Sequence, residues 1–257
     1  MASSASSELS YPADLYAALH RGLPGDVDFY LRACSGGHSV LELGCGYGRV
    51  LTALALAGHQ VVGLERDPEL AARAREAVRG AGGRVVDGDM TNFSLGERFD
   101  RIIIPFNGLY CLLDADEVAS CVRAAAAHLA PGGLFIFDGW AADSFHAEAS
   151  PDDMSGDHLE PVGMVNARGR VYDVFERSEW ARDAQRIDAR YLYVARDGSP
   201  ALEFALPQRY LRSDEALALL RDSGLEPWVV HGGFDQSAYD EEDSELMIIT
   251  ARLPDDA

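Results

Sequence analysis

Three glycines alternate with other residues in the segment LELGCGYGRV, at positions 44, 46 and 48, and an acid, Glu42, stands two residues before the first of them. Residues without a Cβ let a chain turn sharply from strand into helix and approach a ligand closely, while the first helical turn offers free N–H groups. The spacing is G-x-G-x-G, not the G-x-G-x-x-G of dinucleotide sites. A carboxylate aimed at a pyrophosphate would repel it, whereas beside a cationic ligand it is favourable. Two further acids follow. Glu65 ends QVVGLE, where a carboxylate can accept both hydroxyls of a ribose. Asp89 lies in GDMTNF, where it can accept from an exocyclic amine while Met90 packs on a purine. Each acid alone is an ordinary capping or solvated carboxylate; three at consecutive strand ends beside a glycine turn point to a nucleoside-bearing ligand.

The elements that must position these residues are legible in the alternation of apolar runs and helical patterns. SVLELG (39–44), QVVGLE (60–65), GRVVDGD (83–89), FDRIIIPF (99–106) and GLFIFDGW (133–140) read as strands, nearly continuous in hydrophobicity as strands buried on both faces are. RVLTALALAG, DPELAARAREAVRG and DADEVASCVRAAAAHLAPGG between them carry helical spacing, with Asp67–Pro68 and Asp114 as starts and Gly80 and Pro131 as stops. Repeated this way, strand and helix imply right-handed crossovers and a doubly wound, mainly parallel sheet, an α/β Rossmann-like fold. The three acids then lie at carboxyl ends of strands, where such sheets bind ligands.

From about Asp143 the pattern changes to an acidic connection, DSFHAEASPDDMSGDHLE, whose His146 and His158 are expected to face solvent. GRVYDVFERSEW, QRIDARYLYVA and ALEFALPQRY follow as an antiparallel meander. Ser213 is expected to cap the helix DEALALLRDSG, after which LEPWVVHGG and ELMIITARL complete a seven-stranded sheet. The domain reading is a flexible tail over 1–10, a Rossmann-like domain over 11–160 and 211–253, and an inserted antiparallel substrate lid over 161–210. Ahead of the first strand, PADLYAALHRG reads as a short helix with Leu15 and Leu19 inward and Tyr16 and His20 sharing a side.

Composition narrows the function classes. The formal charge is −20, with 42 acids against 22 basic residues, all of them Arg. Such a field repels a polyanion, so no nucleic-acid partner is expected. No apolar run approaches the roughly 18 residues of a spanning helix, so no membrane partner is expected either. Cys34, Cys45, Cys111 and Cys121 form no CxxC pair and no zinc-type spacing with histidine; free thiols in a cytoplasmic location and no metal are expected.

In their order, VLELGCGYGRV, VVGLERDPELAARARE, GDMTNF, FDRIIIPFN and HLAPGGLFIFDGW resemble the motifs of class I S-adenosylmethionine-dependent methyltransferases across roughly residues 38–140. The flanks DLYAALHRG and FNGLYCLLD and the meander resemble small-molecule N-methyltransferases acting on amino sugars and, more distantly, glycine N-methyltransferases. The resemblance implies a donor across Gly44, Cys45, Gly46 and Gly48 beside Glu42. It places the ribose on Glu65 near Arg66 and the adenine by Asp89 and Met90, with Phe106 and Asn107 on the route to the methyl group. Tyr11 and Tyr16 would contact the donor, and His20, with an ordinary pKa near ~6.5, would be the general base, Tyr110 being the alternative. Trp140, Arg209 and Tyr210 would contact a small-molecule acceptor, with Glu176 and Glu179 as further candidates. The expected activity is methyl transfer to an amine; a hydroxyl or carboxylate acceptor, or donor binding without turnover, remains open, as does a homodimer.

Overall fold

The structure is a computed structural model describing residues 11–150 and 158–254. The expected tail 1–10 and the centre of the acidic connection lie outside the described residues. The described residues divide into two compact units, one drawn from Met1–Arg21 and Ser150–Gln208, the other from Gly22–Ala149 and Arg209–Ala257.

The larger unit holds a seven-stranded sheet. β1 (Ser39–Leu43), β2 (Gln60–Glu65), β3 (Arg84–Asp87), β4 (Phe99–Ile104) and β5 (Leu129–Trp140) run parallel, and β10 (Glu226–His231) and β11 (Leu246–Arg252) complete it in the order β10-β11-β5-β4-β1-β2-β3. β11 pairs antiparallel with both β5 and β10. The central strands are buried along nearly their whole length, which explains their unbroken apolar sequences. Helices α3 (Arg49–Leu56), α4 (Pro68–Ala77), α5 (Ala115–His128) and α7 (Ser213–Asp222) connect them, preceded by α2 (Asp26–Ala33) and joined by α6 (Asp143–Glu148). Asp67 and Asp114 accept backbone N–H bonds at the starts of α4 and α5 as expected. Pro131 does not end α5. The helix stops at His128, and β5 begins at once and passes Pro131 through an irregularity in register between Phe99 and Arg101 of β4.

Ser213 also departs from expectation. It is the first residue of α7 and its hydroxyl donates to Asp143 Oδ1 at 3.1 Å, so the capping carboxylate comes from α6. The Asp143 carboxylate accepts the Ser213 N–H as well, at 3.2 Å.

The smaller unit is a four-stranded sheet, β6 (Glu160–Ala167), β7 (Arg170–Ala181), β8 (Arg186–Ala195) and β9 (Leu202–Arg209), in sequence order. β6 is one strand more than the meander reading contained; it is an exposed edge with a single buried side chain, so its sequence carries no alternation. Helix α1 (Ala13–Leu19) groups with this sheet and not with the Rossmann-like unit, because Leu15 is buried among Val165, Tyr172, Val174, Tyr193 and Phe204.

Candidate functional site

The turn after β1 has Gly44, Gly46 and Gly48 all in the left-handed region, at φ +65°, +55° and +86°. The glycines answer to different needs. A Cβ on Gly46 would meet nothing within 4 Å, so this position lines open space, whereas one on Gly48 would lie 3.0 Å from the Ala74 Cα of α4. Gly48 is therefore a packing glycine. Gly44 faces Met90, whose sulfur would lie 3.9 Å from an added Cβ, so the turn after β1 meets the segment that follows β3. Cys45 turns away: its thiol packs against Gly63 of β2 and is 4% exposed, leaving only its backbone at the turn. Glu65 straps the turn from β2, with Oε2 accepting from Gly46 N at 2.8 Å and Oε1 from Asp67 N at 2.9 Å. Each oxygen retains a second lone pair for a hydroxyl. Asp89 is exposed and held ionised below the usual range, first by the Thr91 N–H and then by its hydroxyl. The Arg66 charge acts on Asp89 in the same direction.

Beneath the turn lies Glu42, 3% exposed, with Oε2 buried and without a hydrogen-bond partner. Burial pushes its carboxyl up to about 8 against the pull of the Arg49 guanidinium, and the Glu65 charge adds to the rise. Arg49 opens α3, binds the buried Asp26 of α2 at 2.7 Å and lies 5.6 Å over the Phe106 ring. Neither Arg49 nor Asp26 stood out in the sequence; the arrangement shows an acid–base pair held against the glycine turn.

The turn after β4 is strained in a specific way. Phe106 and Asn107 are consecutive non-glycine residues in the left-handed region, at φ +56° and +57°, a conformation that costs of order 1 kcal/mol or more per residue. Asp138 of β5 holds it. Its carboxylate accepts from Phe106 N at 2.9 Å, from Asn107 N and from the Tyr30 hydroxyl of α2 at 2.5 Å. Burial pushes Asp138 up to about 6 against these donors. Asn107 Oδ1 in turn accepts from Trp140 N at 2.8 Å.

Tyr110 does not fit the role of base. It is fully buried over Gly139, its hydroxyl donates toward the Trp140 and Leu211 carbonyls at 3.1 and 3.3 Å, and burial raises its pKa far above that of a free phenol. Trp140 and Tyr210 do meet, with ring centroids 5.1 Å apart, but Tyr210 is fully buried. His146, expected in solvent, is half-buried with Nδ1 2.8 Å from the Tyr210 hydroxyl; His158 is exposed. Arg209 pairs with Glu215 at 2.5 Å and leaves Nη1 buried without a partner.

In the smaller unit His20 is 8% exposed among aromatic rings: Tyr16 at 4.5 Å, Tyr191 at 5.0 Å and Tyr11 at 5.5 Å between centroids. Tyr11 stacks on Phe204 at 5.2 Å. Glu176 of β7 hydrogen-bonds Tyr191 and accepts from Ser178, while Glu179 is exposed. Burial lowers His20 to about 4, which removes the expected value near ~6.5 and keeps the ring neutral at physiological pH. Among the described residues no three of His, Cys, Asp and Glu converge as a metal site, and no helix is long and apolar enough to cross a membrane.

Residues 40–133 match the family described as a methyltransferase domain. Over 96% of its length the chain superposes on the whole CcbJ methyltransferase from Streptomyces caelestis, with TM-score 0.76 and 26% identity. A SAM-bound amino pentose methyltransferase from Micromonospora echinaspora matches 94% of this chain and 98% of its own, with TM-score 0.68 and 25% identity. The chain is an S-adenosylmethionine-dependent methyltransferase. The methyltransferase is also 28% identical over 193 residues, 72% of this chain and 71% of the relative, to a dTDP-3-amino-3,6-dideoxy-alpha-D-glucopyranose N,N-dimethyltransferase from Streptomyces fradiae. Its larger unit suits the donor chemically: a buried carboxylate oxygen without a partner lies under a glycine turn with open space over Gly46, and a second carboxylate beside it has lone pairs to spare.

Proposed function

We propose that this methyltransferase transfers a methyl group to the amine nitrogen of a small-molecule acceptor. The observation that carries the reading is the unpartnered Glu42 Oε2, a buried carboxyl group whose ionisation a cationic donor would favour. When bound, S-adenosylmethionine supplies a methyl group on a sulfonium whose sulfur departs as a neutral thioether. Glu65 holds the ribose hydroxyls, Asp89 accepts from the adenine amine with Met90 against the base, and Arg49 offers a guanidinium to the donor's carboxylate. The open backbone at Gly46 admits the donor closely. The Asp138-held turn at Phe106 and Asn107 fixes the wall by the reacting methyl.

In-line displacement needs alignment more than acid or base strength. The nitrogen must present a lone pair, so the amine reacts unprotonated. His20, neutral because it is buried, accepts an N–H bond from the amine and so directs that lone pair; it is poorly suited to store a proton beforehand. Tyr16 and Tyr191 beside it form an electron-rich wall, with Glu176 behind Tyr191, which favours a partly cationic nitrogen over a neutral hydroxyl. Trp140 and Arg209 stay as acceptor contacts in this proposal, and the four-stranded unit supplies specificity.

The test is calorimetric titration with S-adenosylmethionine, S-adenosylhomocysteine and NAD, with Glu65→Ala as control, followed by a screen of matched amines and alcohols. Binding of both adenosyl ligands, lost in the variant, with turnover of amines alone, is the expected result. Turnover of alcohols alone would replace the amine reading. His20→Phe is expected to lower turnover far more than donor affinity.

A further inference from the structure

Three hydroxyl and ring groups of the smaller unit form a chain whose direction fixes one proton. The Tyr193 hydroxyl lies 3.3 Å from the Leu15 carbonyl of α1, the Tyr11 and Tyr193 hydroxyls are 2.6 Å apart, and His20 Nε2 is 3.2 Å from the Tyr11 hydroxyl. A carbonyl can only accept and each phenol carries one hydrogen. If Tyr193 donates to Leu15, its oxygen accepts from Tyr11. Tyr11 then has no hydrogen left for the imidazole, and Nε2 must be the donor. This order makes three hydrogen bonds from three hydrogens. The reverse order makes two and leaves the Tyr193 and Leu15 oxygens facing each other without a proton between them. Tyr193 is fully buried, so no bulk water compensates the loss.

We infer that Tyr193, acting through Tyr11, sets the neutral His20 imidazole as its Nε2–H tautomer and so places the ring's lone pair on Nδ1. Tyr11 and Tyr193 are thus positioning residues: they choose which ring nitrogen can accept. Burial, which keeps the ring uncharged, makes the choice consequential, because a neutral imidazole has one lone pair and the wrong tautomer would turn an acceptor into a donor. The phenol rings of Tyr11, Tyr16 and Tyr191 pack against the imidazole, and of these three the Tyr11 hydroxyl is the one bonded to Nε2. The catalytic consequence rests on the proposed role of His20 toward the amine; the tautomer itself does not.

Long-range ¹H–¹⁵N correlation spectra of the labelled full chain read the tautomer directly, with the His20 signals assigned by their loss in His20→Gln. The expected spectrum shows protonated Nε2 and unprotonated Nδ1. In Tyr193→Phe, the Tyr11 hydroxyl loses its acceptor and turns toward Nε2, so Nδ1–H becomes populated and turnover falls about tenfold or more at nearly unchanged KM. Protonated Nδ1 in the wild type, or an unchanged tautomer in Tyr193→Phe, overturns the inference; the wild-type spectrum alone decides the direction of the chain should a variant fail to fold. The expected tautomer together with undiminished turnover in both His20→Phe and Tyr193→Phe would uphold the relay and sink the assigned role of His20 in methyl transfer.

Discussion

Glu42→Gln should remove a pH dependence from the protein's stability and weaken donor binding, and the size of the first effect follows from burial. The carboxyl titrates near 8 in the folded chain against an ordinary 4.5, so the folded state keeps a proton that the unfolded chain releases. With the folded value raised, the stabilisation is complete below about pH 4.5 and is lost as pH rises through about 8. At neutral pH the unfolded chain gains about 3 kcal/mol from ionising this group, at roughly 1.4 kcal/mol per unit over the 4.5-to-neutral interval. Glutamine has the same shape and no such gain, though its amide buries two N–H donors that cost about 1–3 kcal/mol if unpaired. The net sign at one pH is therefore close to balance, and the dependence on pH is the readout. Urea unfolding of wild type and Glu42→Gln between about pH 5 and about pH 8 should show the stability difference moving in favour of the variant by about 3 kcal/mol as pH rises. A difference independent of pH would refute the buried, shifted acid. Over the same range S-adenosylmethionine should expel a proton from the wild type on binding, read as a dependence of binding enthalpy on buffer, and the variant should expel none at this position.

Replacing Asp138 by Asn leaves an amide donor facing the Tyr30 hydroxyl and the Phe106 and Asn107 N–H groups, so chemical denaturation should show a loss of about 1–3 kcal/mol, with donor affinity falling alongside. Gly46→Ala and Gly48→Ala should separate function from fold: both strain a left-handed residue by about 1 kcal/mol, but only Gly48→Ala also drives a Cβ against the α4 backbone. Melting temperature should therefore drop more for Gly48→Ala, and donor affinity per unit of lost stability more for Gly46→Ala. The rate profile against pH should rise with ionisation of the acceptor amine and show no inflection near ~6.5, since His20 titrates near 4; a His20-dependent inflection at the ordinary value would count against its burial.

The sheet was legible because its strands are buried on both faces and so are written as unbroken apolar runs, and because Asp67 and Asp114 cap where capping residues stand in sequence. Gly44, Gly46, Glu42, Glu65 and Met90 were legible for a related reason: their spacing is local, and strand ends bring them together in a parallel sheet whatever the loops do. What escaped was set by tertiary contact. Strand β6 has a single buried side chain and so no alternation to read, and α1 joined the antiparallel sheet because of where Leu15 is buried, which no local pattern specifies. Tyr110 read as a reactive phenol beside a promising loop, yet the missing side chain at Gly139 makes room for its ring in the core.

Asp26, Tyr30, Arg49 and Asp138 come from three separate elements, and together they make the two turns one mechanical piece. Tyr30 and Asp26 share α2. The first ties that helix to Asp138 and so to the strained backbone of Phe106 and Asn107; the second ties it to Arg49, which opens α3 just past the glycine turn and covers the Phe106 ring. A ligand that draws Arg49 toward its own carboxylate must therefore act against Asp26 and be felt at Phe106. Coupling of this kind is reciprocal and measurable. In a double-mutant cycle, Asp26→Asn and Asp138→Asn should be non-additive in donor affinity by about 0.5 kcal/mol or more although they touch different turns. Strict additivity would mean that the two turns act separately and that α2 merely packs beside them.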